Sequence, residues 1–189
     1  MPAPGRALAA FARAARSVRA PWYLFGAQAV ALYGVQRTSA DLDVTIALGT
    51  TAPRALIAAA RKAGLRARFD DDAFVAATRV IPVVHTATGW PIDVVLAGPG
   101  LEEMFIASAR RLALGRLEIP VISPEHLIIT KLLAARPKDL EDVRALLREP
   151  SLQLDRAAIT SVLAMLEGAL DRRDLVPLLE QIEREPRNR

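Results

Sequence analysis

Phe25 to Ala47, FGAQAVALYGVQRTSADLDVTIA, is organised around two carboxylates, Asp41 and Asp43. The pair opens a run, Val-Thr-Ile-Ala, with strand propensity, and in a strand residues i and i+2 point to one face. Both carboxylates therefore face the same side, roughly 6 to 7 Å apart along the strand. Asp is depleted in strands, and two like charges side by side repel unless a cation sits between them. A divalent metal supplies that cation, and hard oxygen ligands on a rigid strand suit Mg²⁺, which keeps its other positions for water and substrate phosphate. The bland alternative is a solvated strand start whose aspartates end a turn, and the choice falls to the surrounding sequence.

Upstream, Tyr23-Leu24-Phe25 reads as a short buried strand ended by Gly26, and strong helix formers from Ala27 to Tyr33 begin a helix at once. A strand-Gly-helix junction presents backbone N–H groups and a positive dipole end, which suits phosphate. Gly34 ends that helix. Arg37, four residues before Asp41, has the reach to meet a phosphate or a buried acid. Further upstream, Leu8, Phe11, Ala12, Ala15 and Val18 recur at spacings of three and four, predicting an amphipathic helix over 5–19 that Pro21 stops.

Downstream, Pro53 to Lys62 reads as a helix with Gly64 as its stop, and Leu65 to Phe69 as a strand. Asp70-Asp71-Asp72 reads as a solvated turn, because three consecutive side chains do not converge on one ion. Thr78 to Thr86 and Pro91 to Ala97 read as two strands of a hairpin with Gly89 in its turn. Asp93 lies inside the second strand between Ile92 and Val94. An acid in so apolar a strand needs a partner, since burying an unpaired carboxylate is costly. That partner is either an arginine or the same metal cluster reached from a neighbouring strand.

Leu101 to Arg111 reads as a helix and Leu114 to Val121 as a second small hairpin. Ser123 is a strong N-cap with Pro124 at the first helical position. Lys131 sits among apolar helix neighbours, so its amine either snorkels to solvent or is held toward an anion. Leu140 to Leu147 is a further helix bearing Glu141 and Asp142, and two amphipathic helices, about 155–168 and 172–184, form a tail.

Several classes fall away. With no cysteine among 189 residues, zinc-thiolate sites, disulfides and a cysteine nucleophile are excluded. His85 and His126 are the only histidines and lack ligand spacing. No G-x-S-x-G, G-x-x-x-x-G-K-[ST] or G-x-G-x-x-G occurs. No apolar run is long enough to span a membrane, and the arginine-interrupted N-terminus lacks a signal peptide's apolar core, so a cytoplasmic location is expected. Charge is uneven. Met1 to Arg68 holds ten basic residues against Asp41 and Asp43, a net of +8, and the chain total of +4 leaves the remainder at −4. Such a basic half is the footprint of a polyanion surface, or a compositional habit of an arginine- and alanine-rich chain.

A strand, a Gly opening a helix, Arg37-Thr38-x-x-Asp41-Leu42-Asp43 and a later strand with Ile92-Asp93-Val94 together resemble the polymerase β-type nucleotidyltransferase fold. The segment Ser123 to Val143, SPEHLIITKLLAARPKDLEDV, is similar to the corresponding part of AbiEii-type nucleotidyltransferases, a group known as toxins of toxin–antitoxin pairs. The resemblance implies an α+β chain, a mixed sheet flanked by helices with a C-terminal helical tail: residues 1–120 as catalytic core, 121–189 as a helical part completing the nucleotide cleft. It implies that Asp41, Asp43 and Asp93 hold Mg²⁺ or Mn²⁺, with Asp93 helping to deprotonate the attacking hydroxyl. Gly26 and Ala27 would form the phosphate turn, where many members have Gly-Gly or Gly-Ser; Arg37, Lys131, Asp139 and Asp142 would serve the nucleotide. The implied activity moves an NMP from an NTP to an acceptor hydroxyl, RNA such as a tRNA 3′ end, with a cognate antitoxin as partner. A small-molecule or protein acceptor, and a catalytically silent binding domain, are the alternatives. The geometric expectation is that the three aspartates converge on one point facing the Gly26 turn.

Overall fold

The structure, a computed structural model, describes residues 2–69 and 71–186; Asp70 of the expected acidic turn lies outside the described residues. The chain divides into two compact units, one of Met1–Leu32 with Arg37–Ile122, the other of Tyr33–Gln36 with Ser123–Arg189.

The first unit is built on a mixed sheet whose seven described strands run in the order β3-β4-β5-β2-β1-β7-β6. In chain order they are β1 (Trp22–Phe25), β2 (Leu42–Ile46), β3 (Leu65–Ala67), β4 (Val80–His85), β5 (Pro91–Leu96), β6 (Arg110–Leu114) and β7 (Leu117–Val121). Only β2/β5 and β1/β7 pair in parallel. Apolar residues at alternate positions of the two central strands, Leu42, Val44 and Ile46 on β2 and Ile92 and Val94 on β5, are buried to within 1% of full. Their parallel register, Leu42 beside Ile92 and Val44 beside Val94, makes one continuous apolar face. Helix α1 (Ala3–Ser17) packs on α3 (Pro53–Lys62) and touches β2, β3, β4 and β7. Its inward stripe includes Leu8, Phe11 and Ala15, and Phe11 meets Trp22 edge-on at 5.1 Å between ring centres. Each such large side chain contributes on the order of 1.5–3 kcal/mol on burial. The opposite alternation leaves Asp43 and Asp93 half-buried, so the polar row belongs to the other face of the sheet.

Two local expectations change. The acidic turn is in part a helix start. Asp71 caps α4 (Asp72–Thr78), its carboxylate accepting from the N–H groups of Ala73 and Phe74. The helix α5 (Leu101–Ala107) is shorter than the sequence indicates, and the second hairpin begins at Arg110. The helix α2 (Gly26–Leu32) follows β1 without a linking residue.

The second unit contains α6 (Pro124–Ala134), α7 (Pro137–Arg148), α8 (Arg156–Leu170) and α9 (Leu175–Arg184). Ser123 caps α6 by accepting from the His126 N–H at 3.2 Å. Leu127, Ile128, Leu132, Val143, Leu146, Leu163 and Leu175 form its core with no measurable exposure.

Candidate active site

Sheet register builds the site. Phe25 pairs with Asp43, and Asp43 pairs with Asp93. Residues directly opposite in neighbouring strands present their side chains to the same face, with about 4.8 Å between strands. Asp43 and Asp93 therefore stand side by side on two parallel strands. Asp93 faces neither the core nor away from Asp43; the core positions beside it are Ile92 and Val94.

The turn into α2 closes on this pair. Gly26 has φ +69°, and a Cβ built there would lie 2.8 Å from the Asp43 Cγ and 3.1 Å from its Cβ, closer still to Oδ2. Only glycine leaves room for that carboxylate. The Asp43 side chain thus lies directly against the start of α2. Ala27 is the second residue of that helix.

Asp41 precedes β2 and sits in a bend. Ser39 Oγ donates to Asp41 Oδ1 at 2.7 Å, and the Asp41 N–H points back to the same hydroxyl at 3.4 Å. Arg37 Nη1 donates to the Thr38 carbonyl at 3.1 Å. Among the described residues no group of three or more His, Asp or Glu side chains is gathered closely enough to hold a metal ion. The Asp41 carboxylate is held locally by Ser39.

The donor set nevertheless suits a cation. Asp93 Oδ1 is shut from solvent without a hydrogen-bond partner. The nearest cation recorded for it, Arg68 Nη1, is 3.8 Å away, an ion-pair distance and not a hydrogen bond. A buried carboxylate oxygen beside a second carboxylate is costly unless a positive ligand completes it.

A strand-Gly-helix turn packed against an acid, with the acids of two parallel strands aligned beside it, agrees with the sequence comparison. The profile described as "Nucleotidyl transferase AbiEii toxin, Type IV TA system" matches residues 6–189. The chain belongs to the AbiEii nucleotidyltransferase family. No curated protein matches it significantly. Among solved structures, the solution structure of the antibiotic-resistance factor ANT(2'')-Ia is similar at TM-score 0.56 and 20% identity, covering 87% of this chain and 95% of that one. The crystal structure of ANT(2'')-Ia in complex with adenylyl-2''-tobramycin is similar at TM-score 0.54 and 17% identity, over 93% and 94% of the two chains. At these identities the likeness is one of fold, and it agrees with the mixed sheet flanked by helices. The chain is a nucleotidyltransferase of the AbiEii toxin type, and no described helix is long and apolar enough to cross a membrane.

The remaining site expectations of this AbiEii chain fall in the second unit. Lys131 is buried, and its Nζ donates to Asp139 Oδ1 at 3.1 Å and Asp142 Oδ2 at 2.7 Å. Arg136 Nε donates to the other oxygen of Asp139 at 2.5 Å. Burial pushes the Asp139 carboxyl up, but the hydrogen bonds from Arg136 and Lys131 outweigh it and hold the pKa below its ordinary value. In the structure the ammonium of Lys131 is closed by two carboxylates, and the three residues clamp α6 to α7. The helix spacing that put Lys131 among apolar neighbours left both outcomes open. The acids that capture it are on the next helix.

One residue of the site was missed. Arg68 entered the sequence reading only as one of ten basic residues, yet it continues the pairing of β3, its N–H donating to the Pro82 carbonyl at 2.8 Å. Pro82 pairs with Asp93, so Arg68, Pro82, Asp93 and Asp43 form one row across the sheet. No signal within residues 65–69 predicts that row, which arises only when β4 is laid between β3 and β5.

Proposed function

We propose that this chain transfers an NMP from an NTP to a hydroxyl of RNA, the 3′ end of a tRNA being the acceptor of choice, and that it acts as the toxin paired with an antitoxin. The observation that carries the reading is the side-by-side placement of Asp43 and Asp93 against the Gly26 turn, with Asp93 Oδ1 lacking a hydrogen bond. Asp43 and Asp93, with Asp41 released from Ser39, are the residues that would hold Mg²⁺ or Mn²⁺. When bound, such an ion screens the phosphate charge and favours the ionised form of the attacking hydroxyl.

The chain's own residues do the rest. Asp93 takes the proton as the acceptor oxygen bonds to the α-phosphorus, and the bond from that phosphorus to the leaving pyrophosphate breaks in line. The Gly26-Ala27 turn offers backbone N–H groups to the phosphates, with Arg37 as a positive side chain nearby in sequence. In favour of a polyanionic acceptor are the exposed Arg6, Arg13 and Arg16 of α1 with Arg19 just after it, Arg54, Arg61 and Lys62 of α3, and Arg66 of β3 with Arg68 just after it, on elements that pack together.

Incubating the protein with labelled NTPs, Mg²⁺ and total RNA should label RNA, tRNA above all, and Asp43→Asn and Asp93→Asn should each abolish it. Label that appears only on a small aminocyclitol or on protein defeats the RNA reading. Label on RNA that survives both substitutions defeats the site.

A further inference from the structure

We propose that Phe69 is a stacking platform for an unpaired nucleobase of the acceptor, held beside the catalytic row by Arg68. Phe69 is 52% exposed, one of the few large apolar side chains so placed among the described residues. It is neither isolated nor randomly oriented. The Arg68 guanidinium carbon lies 5.9 Å from its ring centre, and Phe74 of α4 backs it at 5.5 Å with the rings tilted by 49°. The same guanidinium faces Asp93 Oδ1 at 3.8 Å. One arginine therefore links an exposed aromatic ring to the carboxylate that takes the acceptor proton.

Register explains why the link exists. Arg68 lies two strands from Asp93 with Pro82 between them, about 10 Å by strand spacing. A long arginine directed along that row reaches the acid, and the chain then leaves the strand, so Phe69 folds back under the guanidinium instead of continuing the alternation. An exposed flat ring fixed by a cation suits a ligand that is itself flat and attached to phosphate. A base stacks on the ring while its backbone meets Arg68 and the neighbouring Arg66, both exposed.

This inference rests on the RNA reading and deepens it to the element that receives the acceptor's terminal base. The test is fluorescence anisotropy of a short single-stranded RNA, with and without its 3′-terminal base, on the whole protein without NTP or metal. For the wild type, removing that base should weaken binding about tenfold. In Phe69→Ala the intact RNA should bind as weakly as the abasic one, and removing the base should then cost nothing further. Phe69→Tyr, which keeps the flat face, should restore the discrimination. If base removal costs the wild type and Phe69→Ala equally, or Phe69→Ala binds as the wild type does, the platform assignment is overturned. RNA labelling by the wild type, run in parallel, decides the acceptor class separately, because the binding arm needs no turnover.

Discussion

Gly26 and Asp43 compete for one volume: a methyl group on residue 26 would stand 2.8 Å from the carboxylate carbon of Asp43. This contact ties the turn into α2 to the acid row, because the residue that lets α2 begin directly after β1 is also the one that leaves the carboxylate in place. The glycine is required twice over, by its φ of +69° and by that space.

Gly26→Ala should therefore cost more in activity than in stability. The left-handed backbone costs about 1–2 kcal/mol in a non-glycine residue, whereas relieving the clash turns Asp43 away from Asp93. Gly64→Ala is the control, since residue 64 has φ +88° but its Cβ would meet only Thr86 Oγ1 at 3.9 Å. Chemical denaturation should place both variants close together, while RNA labelling is lost in Gly26→Ala alone. Equal activity in the two would show that the clash has no functional weight.

Asp93→Asn should leave the melting temperature unchanged or raise it while removing activity. The substitution keeps the shape and deletes one of two adjacent like charges, and the buried Oδ1 has no hydrogen bond to lose. Loss of a proton acceptor of this kind lowers the rate by about 10²–10⁴. A clear fall in melting temperature would instead mark Asp93 as a structural ion pair of Arg68.

Arg68→Ala should be nearly silent in stability. The Arg68 and Asp93 side chains are 40% and 37% exposed and 3.8 Å apart, and such solvated pairs contribute about 0–1 kcal/mol. Steady-state kinetics should show the KM for RNA rising with the KM for NTP little changed. A selective rise in the NTP value would move Arg68 from the acceptor to the nucleotide side.

Lys131→Met should destabilise the protein, by up to about 3–5 kcal/mol, because it removes the ammonium that two buried carboxylates share while Asp139 keeps its bond from Arg136. Adding Asp139→Asn and Asp142→Asn to it should recover part of the loss. The Asp139 carboxyl is held below its ordinary value, so its contribution is fully present above about pH 4 and disappears as pH falls through the depressed value. Acid unfolding of the triple variant should accordingly be shallower than that of the wild type. If Lys131→Met keeps wild-type stability yet loses NTP binding, the lysine serves the nucleotide after all.

What was legible in the sequence was whatever depends on near neighbours. The alternation in Asp41-Leu42-Asp43, the glycine between β1 and α2, the Pro start of α3 and the Ser123 cap all reflect local backbone preferences, and each element stands near its expected place. Asp71 was hidden by its own composition, since an Asp in an acidic triplet looks like a solvated turn whether or not it caps a helix. The pairing of β5 with β2 is different in kind. Asp43 and Asp93 are fifty residues apart, and only the parallel register fixes them as direct neighbours. For the same reason Arg68 was invisible, because its relation to Asp93 passes through Pro82 on a third strand. Lys131 had two physically sound outcomes, and the choice between them lay with acids on the next helix.

Mild acid should weaken the fold, and the histidines give the sign. Burial holds the His85 pKa below its ordinary value, with the charges of Arg6 and Arg13 acting in the same direction; its ring Nδ1 lies 2.7 Å from Thr88 Oγ1. His126 is lowered by burial, against a smaller opposing effect of Glu125. A base whose folded pKa is depressed binds its proton more readily when unfolded, so stability is full above about pH 6.5 and declines as pH falls below it. Urea midpoints measured at pH 7.5 and pH 5.5 should thus be lower at the acid value, and His85→Gln should reduce that difference. A variant that lowers both midpoints equally would show that the ring matters for packing and not for its proton.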